Sequence, residues 1–253
     1  MTRELIEQLY NTIFIRKSVR KFEDIPLTES KIFDVTEMTL NLMNIHDDFK
    51  VAFRILNKDQ VKGMISAKTP HYLAVYSSGD PDSIINAAFM LQQMDLWFSL
   101  NGIGSCWLGM AKPVSEKSKA DDLNFTALLA FGKPDEDLHR KSSSQFIRKP
   151  FSEITDIFTD NHLFEAVRMA PSSMNRQPWY FTGDLNSIKL LQKTDNFLLK
   201  GFVNKLTNID MGIVLCHLWL SIESRNLSAV FLKENNYGNI PDGYKYICTV
   251  NAN

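Results

Sequence analysis

Cysteine is scarce and unpaired in this sequence: Cys106, Cys216 and Cys248 are the only three, and they lie far apart. An odd number with no close Cys spacing argues against a disulfide framework and a zinc site, and fits a reducing compartment. Each reads as a small buried residue. The histidines His46, His71, His139, His162 and His217 are scattered too, none at metal-ligand spacing from another His or Cys, so no metal is expected. Long apolar runs are missing, with no stretch near the roughly 20 residues that span a bilayer. An excess of one charge is also missing: 28 basic and 29 acidic side chains leave no global field to attract nucleic acid or an anionic membrane. The start of the chain, Met1 to Asn11, carries Arg3, Glu4 and Glu7 before any apolar run, unlike a secretory signal. These absences predict a soluble, cytoplasmic protein.

What is present is enough apolar material for a full core. The 253 residues are 44% apolar and 23% charged, which suits one large globular domain or two halves of ordinary size. Two segments are apolar nearly all round, Ser83 to Leu100 and Ile209 to Ile222, and a helix without a broad polar face is a central one. The first stops at Asn101-Gly102 and the second near Arg225-Asn226, both suited to a left-handed C-terminal cap. Setting Gly102 against Asn226 also aligns Leu91 with Leu215, Met94 with Leu218, Leu96 with Leu220, Ile103 with Leu227 and Trp107 with Phe231. Both halves then continue to an apolar strand, at Thr126 to Phe131 and at Tyr244 to Val250. We read two diverged copies of one α+β unit, residues 1–152 and 153–253.

The remaining periodicities predict helices over residues 3–14, 29–43 with Thr28 as N-cap, and 161–169. They also predict strands over 49–56, 72–77 and 179–182. Short helices are expected at 59–66 and 186–192. Against this frame, three stretches carry candidate chemistry. Residues 15–22 surround Val19 with Arg16, Lys17, Arg20 and Lys21, and in an extended chain Arg16, Ser18 and Arg20 share one face. Two guanidinium forks with a hydroxyl between them make either an anion clamp or a solvated basic edge. Residues 103–109 are short and glycine-rich, permitting close backbone approach to something flat or bulky. Ala170 to Phe181 follows a helix, ends it at Pro171 and exposes hydroxyls, amides and backbone N–H groups. This last stretch is either a capped helix-to-strand turn or half of a cradle for a polar, phosphate-bearing ligand. The polar segment Asp135 to Gln145 is expected to be mobile, with Arg148-Lys149-Pro150 after it.

Taken together these stretches resemble the FMN-dependent nitroreductase superfamily. Its Arg-x-Ser-x-Arg segment is matched by Arg16, Ser18 and Arg20, and its Ala-Pro-Ser-x-x-Asn-x-Gln-Pro-Trp loop by Ala170, Pro171, Ser172, Asn175, Gln177, Pro178 and Trp179. The end of its central helix is matched by Gly102 to Trp107, and its late Arg-Lys-Pro segment by Arg148 to Phe151. In the ordinary family the Pro-Ser loop follows soon after the basic segment and two subunits share two FMN sites. Here the loop is absent from residues 40–48 and lies in the second half, which resembles the single-chain, duplicated members. The resemblance implies a nitroreductase-like fold in which two tandem repeats form a pseudo-dimer around the central helices, with one FMN site per chain. It implies that Arg16 and Arg148 bind the phosphate and that Ser18 and Arg20, with Lys17 beside them, reach the ribityl chain and pyrimidine edge. Backbone at Trp107, Leu108 and Gly109 would lie along the ring, and Pro171, Ser172, Ser173 and Asn175 would close the site. Many relatives carry an acidic residue where Leu108 lies. The implied reaction is two-electron transfer from NADH or NADPH to a small acceptor such as a nitroaromatic or quinone. The alternative is a flavin-binding or sensing protein without turnover. The flavin would carry the bond chemistry, so no acid, base or nucleophile is nominated. A single chain suffices for one site, and higher assembly is left open.

Overall fold

The computed structural model describes residues 1–117, 119–157, 161–194 and 200–253. In chain order the helices are α1 (Arg3–Ile13), α2 (Glu29–Leu40), α3 (Pro81–Leu100), α4 (Asn161–Arg168) and α5 (Lys200–Glu223). The strands of the first part are β1 (Ala52–Asn57), β2 (Val61–Gly63), β3 (His71–Ser77), β4 (Gly104–Trp107), β5 (Ala111–Pro113), β6 (Lys119–Ala120) and β7 (Leu123–Gly132). Those of the second are β8 (Trp179–Asp184), β9 (Ser187–Lys193), β10 (Ala229–Leu232) and β11 (Tyr244–Ala252).

Side-chain caps set the helix starts. Thr2 accepts from the Leu5 N–H, Thr28 from the Lys31 N–H, and Asp80 from the Ser83 N–H at 3.0 Å with Pro81 as the first helical residue. The expected ends of α3 and α5 hold, since Gly102 at φ +75° and Asn226 at φ +67° take the left-handed conformation.

All strand pairs in the two larger sheets are antiparallel. The first runs in the order β1-β3-β7-β4, with β6 paired to the start of β7, and the second in the order β8-β9-β11-β10. In each, the strand directly after the long apolar helix sits at one edge beside the last strand of that half. A separate two-stranded sheet joins β2 to β5. One core unites the two larger sheets with α3 and α5, drawing Leu73, Leu129 and Phe131 from the first and Phe181, Ile188 and Val250 from the second. The two helices cross closely at Gly212, where an added Cβ would lie 2.1 Å from the Ile85 carbonyl oxygen and 2.8 Å from the Ala88 Cβ. Glycine is required there for the contact itself.

Three expectations fail, each for a local reason. Residues 187–193 are a strand, because the Asp184 carboxylate accepts the Asn186 and Ser187 N–H groups and turns the chain straight back into a hairpin with β8. A run of seven residues does not distinguish helix from strand by period alone. Residues 59–66 hold one 3-10 turn, then Val61–Gly63 pairs with β5 and Gly63 leaves at φ +109°. Residues 135–145, expected to be mobile, form an ordered strap. The Asp135 N–H donates to the Lys21 carbonyl and the Arg140 N–H to the Ile15 carbonyl, fastening the strap along the basic segment.

Candidate functional site

Residues 15–22 run extended between α1 and α2 because both sides offer partners. The Val19 N–H donates to the Ser105 carbonyl at 2.9 Å, and the buried Val19 side chain packs where a Cβ on Gly104 would clash at 2.8 Å. On the other side the strap pairs His139 with Arg16 and Pro134 with Phe22. The close approach expected of the 103–109 stretch is therefore real, and its partner is this segment.

Arg16 is 1% exposed, and its Nε lies 3.0 Å from a carboxylate oxygen of the fully buried Asp95. Asp95 also accepts from the Ser105 hydroxyl at 2.6 Å and from the Gln92 amide at 3.2 Å. The same amide reaches His217 Nε2 at 3.2 Å, while the Gln92 carbonyl oxygen accepts from the Trp107 indole at 3.1 Å. His217 Nδ1 donates to the Ala166 carbonyl, which leaves Nε2 as the acceptor; burial holds this imidazole neutral, down to about 3. A polar chain thus crosses the core from the basic segment to α4, with Arg16 Nε meeting Asp95 as an ion pair and making no hydrogen bond among the described residues. An Asp, a Gln and a His on helices that are largely apolar were its signal in the sequence, since a buried charge demands a partner.

The loop after α4 is held under conformational strain. Met174, Asn175 and Gln177 all have φ near +50°, sparsely populated for residues with a Cβ. Its braces are numerous. The Ser172 hydroxyl accepts from the Gln177 N–H, the Gln177 side chain accepts from the Lys149 N–H, and Lys149 Nζ donates to the Gln177 carbonyl. Arg148 Nη1 donates to Asn175 Oδ1 at 2.9 Å, and Asn175 Nδ2 donates to the Ile147 carbonyl. The two segments singled out by sequence therefore bind each other. Below the loop the Ser173 N–H donates at 2.8 Å to Asp210, a 2% exposed carboxyl that burial raises to about 7. Its second oxygen is buried without a hydrogen-bond partner among the described residues. At the aligned place on α3, Asn86 accepts the Ile45 N–H and donates to Asn44.

Between these segments opens a cavity of about 650 Å³ whose walls include Arg16, Lys17, Ser18, Arg20, Arg148, Pro171, Ser172 and Asn175. These are eight of the residues expected from the sequence. Ser173 faces Asp210 instead. Trp107, Leu108 and Gly109 are not on the wall: the indole turns to Gln92, the Leu108 N–H is spent on the Leu128 carbonyl, and only Gly109 is exposed. Lys17 is on the wall, but its ammonium is paired with Glu136 at 2.9 Å. Sequence reasoning missed the strap's contribution of Glu136, His139 and Arg140, because a polar run without periodicity gives no sign of its fastenings. Glu136 Oε1 accepts the Arg20 and Lys21 N–H groups, and these bonds with Lys17 hold its carboxyl down at about 2. Cys106 is buried, which raises its thiol. Among the described residues no group of three metal-ligating side chains forms, and no helix is long and apolar enough to cross a membrane.

A basic extended segment, an Arg-Lys-Pro segment and a Pro-Ser-Ser loop meeting at one cavity is the arrangement expected of the superfamily named above. A family model described as "Putative TM nitroreductase" matches residues 8–222. The chain belongs to this family. Its fold agrees with the crystal structure of a "putative nitroreductase" from Thermotoga maritima, at TM-score 0.63 and 19% identity over 96% of this chain and 92% of that one. An FMN-dependent nitroreductase from Clostridium difficile matches at 13% identity and TM-score 0.42, covering 62% of this chain and 99% of that one. A nitroreductase family protein from Streptococcus pneumoniae matches at 14% identity and TM-score 0.46, covering 60% and 98%. None of the curated proteins matches the chain. The protein is accordingly an oxidoreductase of the nitroreductase superfamily.

Proposed function

We propose that the protein binds one FMN per chain and passes two electrons from NADH or NADPH to a small acceptor such as a nitroaromatic or a quinone. The observation that carries this reading is the meeting of Arg16–Arg20, Arg148 and Pro171–Asn175 at a single cavity of about 650 Å³. That volume lies within the range of cofactor sites. The donors fit a phosphorylated flavin. Arg148, whose Nε is buried without a partner among the described residues, and the edge of Arg16 would hold the phosphate. The hydroxyls of Ser18 and Ser172 accept from Arg16 and Gln177, so each keeps its O–H to donate to a ribityl chain. Arg20 would offset negative charge at the pyrimidine edge. Trp107, Leu108 and Gly109 lie off this wall, and of the three only Gly109 is exposed. When bound, the flavin supplies the two-electron chemistry.

We propose also that residues 1–152 and 153–253 are diverged repeats, supported by the shared strand order of their sheets and by the facing of Ala88 and Gly212, which the alignment of Gly102 with Asn226 sets equivalent. The experiment is the flavin content of purified protein, followed by anaerobic addition of NADH and NADPH. One FMN per chain, bleached by a nicotinamide, is expected. Two per chain would overturn the asymmetric arrangement. Yellow protein that neither nicotinamide bleaches would leave a flavin-binding protein without turnover.

A further inference from the structure

Four guanidinium groups reach this cavity, and among the described residues only Arg16 has a carboxylate partner, Asp95. Arg148 is aimed by neutral acceptors: the carbonyls of Ile147 and Met169 and the Asn175 amide oxygen. Arg140 donates to the Arg16 carbonyl and lies 4.0 Å above the centre of the Phe146 ring, which Arg148 approaches at 5.4 Å. Neutral acceptors and an aromatic face fix these cations without cancelling their charge. Burial and the nearby Arg16 and Arg20 lower Arg140 to about 10, and burial with Arg16 and Arg140 does the same to Arg148. Two carboxylates of the same strap, Glu136 and Asp137, also line the cavity but have partners of their own: Glu136 is spent on Lys17 and two backbone N–H groups, and Asp137 lies 3.5 Å from Lys141. Glu136 therefore anchors the strap, and the strap carries Arg140 into the cavity with its charge free.

Resting on the flavin reading of this cavity, we propose that Arg140 is a phosphate-binding residue, which with Arg148 forms a subsite for a phosphate monoester. A monoester carries about −1.5 to −2 charges at neutral pH and three acceptor oxygens, the match for two uncancelled guanidiniums. A carboxylate or phosphodiester, with one charge, would leave one of them unmatched. Two ligands of this chemistry suit the cavity, the 5′-phosphate of FMN and the 2′-phosphate of NADPH.

The test compares the full chain with Arg140→Gln and Arg140→Lys, using melting curves with inorganic phosphate and titrations with FMN, riboflavin, NADPH and NADH. Phosphate should raise the melting temperature of the parent and of Arg140→Lys but not of Arg140→Gln. For Arg140→Gln we expect about a ten- to hundredfold loss of FMN affinity, the size of one charge-assisted hydrogen bond, with riboflavin unchanged. A loss confined to NADPH over NADH assigns the same subsite to the nicotinamide donor. Equal losses for FMN and riboflavin, or no change for any phosphorylated ligand, overturn the proposal. If neither flavin binds the parent while phosphate protects it through Arg140, the flavin reading fails and the phosphate subsite stands.

Discussion

Asp210→Asn should stabilise this protein increasingly as pH rises. The Asp210 carboxyl has an ordinary value of 3.8 and is raised to about 7 in the fold, where burial outweighs the opposing pull of the Ser173 N–H and the Arg176 cation. Between these values the unfolded chain releases a proton that the folded protein keeps. Stability therefore falls as pH rises from about 4 to about 7, by roughly 1.4 kcal/mol per unit and roughly 4 kcal/mol in all. Asparagine abolishes this titration and keeps an acceptor for the Ser173 N–H, as Asn86 does for the Ile45 N–H. Its added N–H₂ replaces the unpartnered oxygen and costs about 1 kcal/mol where no acceptor is found. The net gain at pH 8 is then roughly 3 kcal/mol, several degrees of melting temperature for a chain of this size, and at pH 4 only the cost of about 1 kcal/mol remains. Urea unfolding of both proteins at half-unit intervals from pH 4 to pH 9 reads the difference, and titrations common to both cancel. Parallel curves, or a gap that shrinks as pH rises, would refute the reasoning.

Other substitutions probe the frame around the site. Gly212→Ala places a methyl 2.1 Å from the Ile85 carbonyl oxygen, so α3 and α5 must separate; we expect a loss of about 1–3 kcal/mol, and an unchanged melting temperature would show the crossing to be loose. Asp95→Asn leaves Arg16 buried without its counter-charge and should cost about 3–5 kcal/mol in urea unfolding, whereas a cost under about 1 kcal/mol would mean that the guanidinium finds another partner. Asn175→Ala removes the acceptor of Arg148 and keeps the strained φ of +56°; FMN affinity should fall about tenfold or more, and Asn175→Gly, which relieves the strain, should recover stability but not affinity.

What the sequence made legible was whatever leaves a periodic or punctuated trace. The all-round apolar pattern revealed α3 and α5 as central, and Gly102 and Asn226 marked their ends. The motif spacing brought Arg16, Ser18, Arg20, Arg148, Pro171, Ser172 and Asn175 to one place, and all of them line the cavity. What stayed hidden depends on partners distant in the chain. Glu136 looks like any solvated acid until the Arg20 and Lys21 N–H groups are seen to lie against it. The 187–193 strand depended on an Asp184 turn that outweighed a short ambiguous run. The glycine that Val19 crowds is Gly104, whereas an added Cβ on Gly109 would meet only Leu206, at 3.8 Å. Composition flagged the glycine-rich stretch, and only tertiary contact showed what approaches it.

The same central helices explain why a duplicated chain would retain one site. The alignment that sets Gly102 against Asn226 places Trp219 opposite Asp95, and Trp219 is 2% exposed and packs 5.6 Å from the Phe89 ring. An arginine reaching α5 as Arg16 reaches α3 would find an indole instead of a carboxylate and would be buried uncompensated, at a cost of several kcal/mol. The loop at the matching place in the first half is spent as well: the Met43 and Ile45 N–H groups donate to Gln93 and Asn86, closing it onto α3. In the second half the Ser173 N–H is drawn down to Asp210, and Pro171, Ser172 and Asn175 remain on the cavity wall. Each helix thus supports one element of the cavity, α3 the basic segment through Asp95 and α5 the strained loop through Asp210. Exchanging either acid for its counterpart in the other half removes an anchor without creating a second cavity. On the proposed reading, one site per chain would follow from two carboxylates on the paired helices.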